Sequence, residues 1–140
     1  DILFLGVQLR PGRPVTVATV DETPVCALPG KPIAAYMAAT LVIRSLLTGH
    51  SHLPTVSAEF TARVTLPDDD VTFVIPVSLE DDRATPLGHA VSSLSLYDQR
   101  FAPGRVASST RVTLADGVVL TRNAIDAGEQ VAVVPSEVVE

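Results

Sequence analysis

The feature that constrains the fold most is a strand, a tight turn and a helix start that follow one another with no linker between them. Residues 25–28 (V-C-A-L) are apolar and β-prone and predict a buried strand. Pro29-Gly30 ends that strand, and Pro32 suits the first position of a helix, where its missing N–H is no loss. The apolar run 33–47 then predicts one buried helix, which Gly49 ends.

Two proline-containing bends carry positive charge and together predict an anion site. At a helix start the free N–H groups point outward at the positive end of the dipole, and Lys31 adds a full charge there. Segment 10–14 (R-P-G-R-P) holds two guanidinium groups on a stiff turn, so they grip a phosphate with little loss of entropy. The competing interpretations are an ordinary strand-to-helix connection and a basic surface turn with solvated side chains.

Charge and cysteine content exclude several classes of protein. Sixteen acidic residues against ten basic ones give a formal net charge of −6, which argues against a nonspecific nucleic-acid or anionic-membrane binder. Cys26 is the single cysteine, so neither a disulfide framework nor a cysteine metal cluster is expected. No apolar run reaches the roughly 20 residues that span a bilayer. The sequence therefore predicts a cytoplasmic globular protein.

The rest of the chain predicts strands on both sides of the helix. Residues 2–9, 15–20 and 25–28 predict a small antiparallel meander, and residues 50–54 are expected to be the boundary between two units. From Thr55 onward, short β-prone segments alternate with turns and predict a small barrel or sandwich. Those segments are 55–66, 71–79, 91–96, 106–114, 118–121 and 130–134.

Two groups of residues have a weak resemblance to metal sites. His50 and His52 have only His89 as a possible further histidine ligand, so linker histidines are favoured over a metal pair. The carboxylate runs 68–70 and 80–82 lack the spaced oxygen ligands of a calcium loop and are interpreted as solvated turns. No metal-binding residue is therefore predicted.

Several of these motifs, in the same order, resemble one enzyme family. Segment 10–14 and segment 27–35 (A-L-P-G-K-P-I-A-A), followed by the apolar helix, look like the K-P-G-K-P…L-P-G-N-P-V-S-A signature of the molybdopterin molybdenumtransferases, the MoeA and gephyrin E-domain proteins. Segments 106–110 (V-A-S-S-T), 115–120 (A-D-G-V-V-L) and 126–133 (D-A-G-E-Q-V-A-V) are similar to the β-barrel domain that ends those proteins.

The resemblance implies an α+β fold in two parts. Residues 1–49 correspond to the C-terminal strands and one helix of an α/β molybdopterin-binding domain, and residues 50–140 to a small all-β barrel-like domain. The implied activity is insertion of molybdate into adenylylated molybdopterin, with Mg²⁺ and release of AMP, in a full-length homodimer. Mg²⁺, molybdopterin and molybdate belong to that full-length protein, and no cofactor is expected in this chain.

Site residues are carried over from the family position by position. Arg10 and Arg13 match two lysines at the pterin-phosphate and molybdate site, and Pro29 and Pro32 match prolines that shape its rim. The family resemblance thus implies a substrate-binding set and no catalytic residue. The full set is Arg10, Arg13, Pro29, Gly30, Lys31, Pro32 and, from the β-barrel domain, Ser108 or Ser109.

Three positions depart from the family pattern. Lys31 replaces the usual Asn, Ala34 replaces the usual Ser, and the family's F-x-R segment corresponds to residues 73–75 (F-V-I), which contain no arginine. Arg10 and Arg13 keep the charge of the family's lysines but exchange a point charge for a planar fork. The geometry of oxyanion binding is therefore expected to differ.

The expected function is that of an inactive C-terminal fragment of a molybdenumtransferase. The chain has no initiating Met and opens in a β-like run, as expected for part of a longer protein. One alternative is a non-catalytic β module for protein interaction or dimerisation, in which the turn at 29–32 is purely structural. A second is a degenerate binder of pterin phosphate or molybdate. A helix without its flanking elements would also expose an apolar face that self-associates.

Overall fold

The computed structural model describes residues 1–87 and 115–137, which form nine strands and one continuous helix. The helix consists of α1 (Pro32–Ala38), a π-helical turn (Ala39–Ile43) and α2 (Arg44–Thr48). The strands are β1 (Ile2–Leu5), β2 (Leu9–Arg10), β3 (Thr16–Val20), β4 (Thr23–Ala27), β5 (Val56–Phe60), β6 (Thr72–Glu80), β7 (Arg83–Pro86), β8 (Gly117–Thr121) and β9 (Gln130–Pro135).

The first strands form the predicted antiparallel meander, with one difference. β1, β3 and β4 are neighbours in a three-stranded antiparallel sheet. The strand predicted over 2–9, however, is interrupted at Gly6, which adopts a φ of 74° that favours glycine. Its second half, β2, leaves this sheet and pairs with β6 in parallel. The prediction of one continuous strand was therefore wrong.

The second sheet closes into a five-stranded barrel. Its order is β2-β6-β7-β5-β9-β8, and a further pairing between β6 and β8 completes the ring, with β2 attached outside it. All pairings within the ring are antiparallel except that of β5 with β7. The predicted α+β fold with a β-barrel is thus confirmed. β7 was not predicted, and the strands predicted at 91–96 and 106–114 lie outside the described residues.

One cluster of buried side chains joins the barrel to the helix. Phe60 and Phe73 from the barrel are completely buried, and Ile33, Met37 and Leu41 from the helix belong to the same cluster. Close packing of this kind limits how far the helix can move relative to the barrel. Whether the chain divides into units at residue 49 stays a prediction.

The prediction that the strand at 25–28 is buried was wrong. β4 is exposed along its whole length, including Cys26, because no described element covers it. In β3, Val17 is buried, whereas Val20 is exposed. The helix also differs from the buried helix predicted, since Leu47 in its last turn is 80% exposed. No helix in the described part of the chain has the length and apolar character to cross a membrane.

Replacing Gly117 with alanine is expected to destabilise the barrel by about 1–3 kcal/mol. A Cβ at this position would lie 2.6 Å from Val133 Cγ1 and 2.6 Å from the carbonyl oxygen of Val134, so β8 or β9 would have to move. Gly30→Ala is the matched control, because a Cβ there meets no atom within 4 Å. Urea unfolding of both variants measures the difference. Equal stabilities would contradict this close approach of the strands.

Candidate functional site

A cavity of about 550 Å³ lies where the two predicted bends meet the start of the helix. The bend after β2 forms one part of its wall, and the bend after β4 forms another. The residues lining it are Leu9, Arg10, Pro11, Gly12, Arg13, Pro14, Pro29, Gly30, Lys31 and Ala34. Among the described residues, the lining therefore comes almost wholly from the two proline-containing segments.

The bend after β2 is held against the helix by close packing. Pro11 and Gly12 are buried, and Gly12 adopts a φ of 119°, a backbone conformation that L side chains rarely adopt. A Cβ on Gly12 would lie 3.7 Å from the carbonyl oxygen of Ala34, so the bend runs close to the helix backbone. The arrangement restrains the backbone of the bend between Arg10 and Arg13.

The second bend continues directly into α1. Pro29 is buried and Gly30 is exposed, and Lys31 has an extended backbone (φ −81°, ψ 130°) at the residue before the helix. The amide of Ala35 donates to the carbonyl oxygen of Lys31 at 2.9 Å, which is the first turn of the helix. Pro32 stands at the first helical position, as predicted from its missing N–H.

The polar lining of the cavity is cationic. Arg10, Arg13 and Lys31 each contribute to its wall, and none of the described residues that line it is acidic. Leu9 and Ala34 provide apolar surface beside these charges. Such a lining suits a ligand with an anionic group and a less polar body, because charge-assisted hydrogen bonds hold the anion while apolar atoms leave water.

Arg10 already has a partner outside the lining. Its Nη1 donates to Asp69 Oδ2 at 2.7 Å, and the two side chains are 36% and 39% exposed. Asp69 belongs to the run 68–70, which was interpreted as a solvated turn. The neighbouring Asp70 forms an ion pair with Arg122. Sequence reasoning missed both pairs, because no local signal links residues that are 59 and 52 positions apart.

The structure brings most of the predicted binding residues together. Five of them line the cavity: Arg10, Arg13, Pro29, Gly30 and Lys31. Pro32 begins the helix next to the cavity without being part of its lining. Ser108 and Ser109 lie outside the described residues. Their role in binding, like that of the other six, stays a prediction.

In residues 1–87 and 115–137 there is no group of three or more His, Cys, Asp or Glu side chains placed to hold a metal ion. The described residues therefore do not fit a magnesium site.

The chain combines a five-stranded barrel, a helix packed against it and a small antiparallel sheet. This combination matches the C-terminal domain fold of the MoeA molybdopterin biosynthesis proteins. No protein-family model matches the sequence, and no curated protein matches it either. The likeness therefore comes from structure and not from overall sequence identity.

Three solved structures show this likeness. A molybdopterin biosynthesis MoeA protein from Pyrococcus horikoshii has a TM-score of 0.69 and 23% identity over 97% of this chain and 32% of its own. A molybdenum cofactor biosynthesis protein from Pyrococcus furiosus has a TM-score of 0.65 and 18% identity, over 95% of this chain and 45% of its own. A second P. horikoshii MoeA structure has a TM-score of 0.68 and 15% identity. This chain thus spans less than half the length of these proteins.

Proposed function

We propose that this chain is the C-terminal part of a molybdopterin molybdenumtransferase, with residues 1–49 belonging to its molybdopterin-binding domain and residues 50–140 to its terminal barrel domain. The shared fold supports this proposal, and so do the family-like motifs at 10–14 and 27–35. The longer protein would insert molybdate into adenylylated molybdopterin and work in the cytoplasm as a homodimer.

The cationic cavity is the proposed binding site for an oxyanion of the substrates. The observation that carries this proposal is that Arg10, Arg13 and Lys31 all line the same cavity. The phosphate of molybdopterin and molybdate itself are both oxyanions that guanidinium and ammonium groups bind by charge-assisted hydrogen bonds. The apolar lining from Leu9 and Ala34 would contact the less polar part of the pterin.

In this proposal the chain binds and orients substrate but does not complete the reaction. Magnesium would supply charge neutralisation at the phosphates in the full-length protein, held by residues other than those described in this structure. The chain's own contribution is to hold the oxyanion against the two bends. Pro29 and Pro32 would keep the rim of the site rigid, because their φ angles are restricted.

The isolated 140-residue chain is therefore expected to be inactive. Incubated with molybdate, Mg²⁺ and adenylylated molybdopterin, it should form no molybdenum cofactor above the protein-free rate, because binding alone does not supply the metal and nucleotide contacts. Product is measured by reconstitution of a molybdenum-dependent apoenzyme. Formation of cofactor at the rate of an intact molybdenumtransferase would show that the other domains of the longer protein are not needed, and the proposal would be wrong on that point.

A related candidate is a binder of pterin phosphate or molybdate that has lost turnover. The family's F-x-R segment corresponds to residues 73–75, and its last position is Ile75, which is completely buried in β6. A buried isoleucine cannot replace an arginine that contacts an anion in a cleft. Binding of molybdate without turnover, even when the remaining domains are supplied, would favour this candidate.

A different candidate is a β module that binds a protein or dimerises. The observation that favours it is the outer face of the three-stranded sheet, where Ile2, Leu5 and Val20 are 64%, 72% and 57% exposed. Exposed apolar patches of this kind mark interaction surfaces or sites of self-association. On this hypothesis the cations of the cavity have no ligand, and neutralising them leaves oxyanion affinity unchanged.

A further inference from the structure

The ion pair between Arg10 and Asp69 connects the cavity to a loop of the barrel. Arg10 lies on the cavity wall, whereas Asp69 is not part of the lining. The carboxylate accepts from Arg10 Nη1 at 2.7 Å, so it neutralises one of the three cations from outside. An oxyanion bound in the cavity would therefore compete with the Asp69 carboxylate for the same guanidinium group.

The position of Asp69 follows from the pairing of β2 with β6. The amide of Thr72 donates to the carbonyl oxygen of Gln8 at 2.9 Å, and Arg10 pairs with Phe73 in the parallel register. This pairing brings the loop that precedes β6 next to the end of β2. Asp70, the next residue, forms an ion pair with Arg122, which follows β8.

The ion pair between Arg10 and Asp69 can be broken at little energetic cost. Only Nη1 is shown bonding to Asp69, although a guanidinium group carries five N–H donors. Both side chains are more than a third exposed, and ion pairs in such surroundings contribute little to stability. A multiply charged oxyanion next to Arg13 and Lys31 can displace one carboxylate from Arg10.

We propose that Asp69 is an internal counter-ion of the cavity, which competes with the anionic ligand for Arg10 and lowers the affinity of the site. This inference rests on the proposed binding of an oxyanion in the cavity. When the ligand binds, Arg10 exchanges the Asp69 carboxylate for a ligand oxygen, and Asp69 returns to water. The loop that precedes β6, which carries Asp69, thereby sets how tightly the cavity holds its ligand.

The test is Asp69→Asn, which removes the charge but keeps the size of the side chain. It is expected to tighten the binding of phosphate and molybdate by about two- to five-fold, the range of a solvent-exposed ion pair. Asp70→Asn is the matched control, since it removes the same charge one residue away and its partner is Arg122. Chemical-shift titration of the full chain with each anion gives the dissociation constants.

A double variant separates competition for Arg10 from a general effect of charge. In an Arg10→Gln background, Asp69→Asn is expected to change the affinity no more than Asp70→Asn does. If Asp69→Asn weakens binding, the carboxylate positions Arg10 instead of competing for it, and the inference is overturned. The same follows if the Asp69 and Asp70 variants behave alike. If neither the wild-type chain nor Asp69→Asn binds either anion, the proposed oxyanion site itself is wrong.

Discussion

Replacing Arg10, Arg13 and Lys31 together with glutamine is expected to weaken the binding of phosphate and molybdate by at least about 100-fold. A hydrogen bond to a charged group contributes about 1.5–3 kcal/mol, and about 1.4 kcal/mol corresponds to a factor of ten in affinity. The loss of two such contacts already gives the stated factor. These side chains line one cavity, so a single ligand can contact them together.

The control for this variant removes three positive charges from residues that do not line the cavity. Arg63, Arg83 and Arg122 lie outside the lining of the cavity, and two of them form exposed ion pairs with carboxylates. Their triple glutamine variant is expected to keep most of the affinity, because exposed charges at a distance are screened by salt. Equal losses in both triple variants would point to net charge alone. Retention of affinity in the cavity variant would instead favour the protein-interaction module.

Replacing Phe60 with alanine is expected to lower the free energy of unfolding by about 3–5 kcal/mol. Phe60 is completely buried at the end of β5, where it pairs with Ala84 of β7. Removing its ring leaves a cavity inside the closed barrel, and a domain of this size has a total stability of only about 5–15 kcal/mol. Urea unfolding followed by circular dichroism measures the change.

Leu47→Ala is the control for the loss of apolar atoms. Leu47 is 80% exposed in the last turn of the helix, so its truncation is expected to change stability by less than about 0.5 kcal/mol. A loss below about 1 kcal/mol for Phe60→Ala would contradict the closed core, since a buried aromatic ring is among the most costly side chains to remove.

Local backbone chemistry made the helix predictable. Pro32 occupies its first position, and Gly49 ends it with a left-handed φ of 69°, both as the sequence indicates. These signals act within one or two residues, so they do not depend on distant packing. The π-helical turn at 39–43 was not predicted, and we find no sequence signal for it.

Strand burial and strand pairing were less predictable. Residues 25–28 are as apolar as a core strand, yet β4 is exposed, because burial depends on what covers a sheet and not on the strand itself. Gly6 was available as a signal that the first strand is interrupted, but the pairing of β2 with β6 was not. β7 is short and contains both Arg83 and Pro86, so its pattern does not resemble a strand.

The candidate site divides in the same way. The proline-stiffened bends and their positive charges are local features, and the sequence with its family resemblance identified them. The contact of Asp69 with Arg10 could not be predicted, because it requires the register of two strands that lie far apart in the chain. A carboxylate beside a basic cavity looks, in the sequence, like any other solvated turn.

The bends, the helix limits and the kind of charge at the candidate site could be predicted from local chemistry, because they follow from proline, glycine and ionised side chains acting over a few residues. Two features could be seen only in three dimensions: the two bends line one cavity, and the carboxylate of a barrel loop pairs with one of its cations. Those contacts join residues far apart in the chain, so they form only when strand register and core packing bring the residues together.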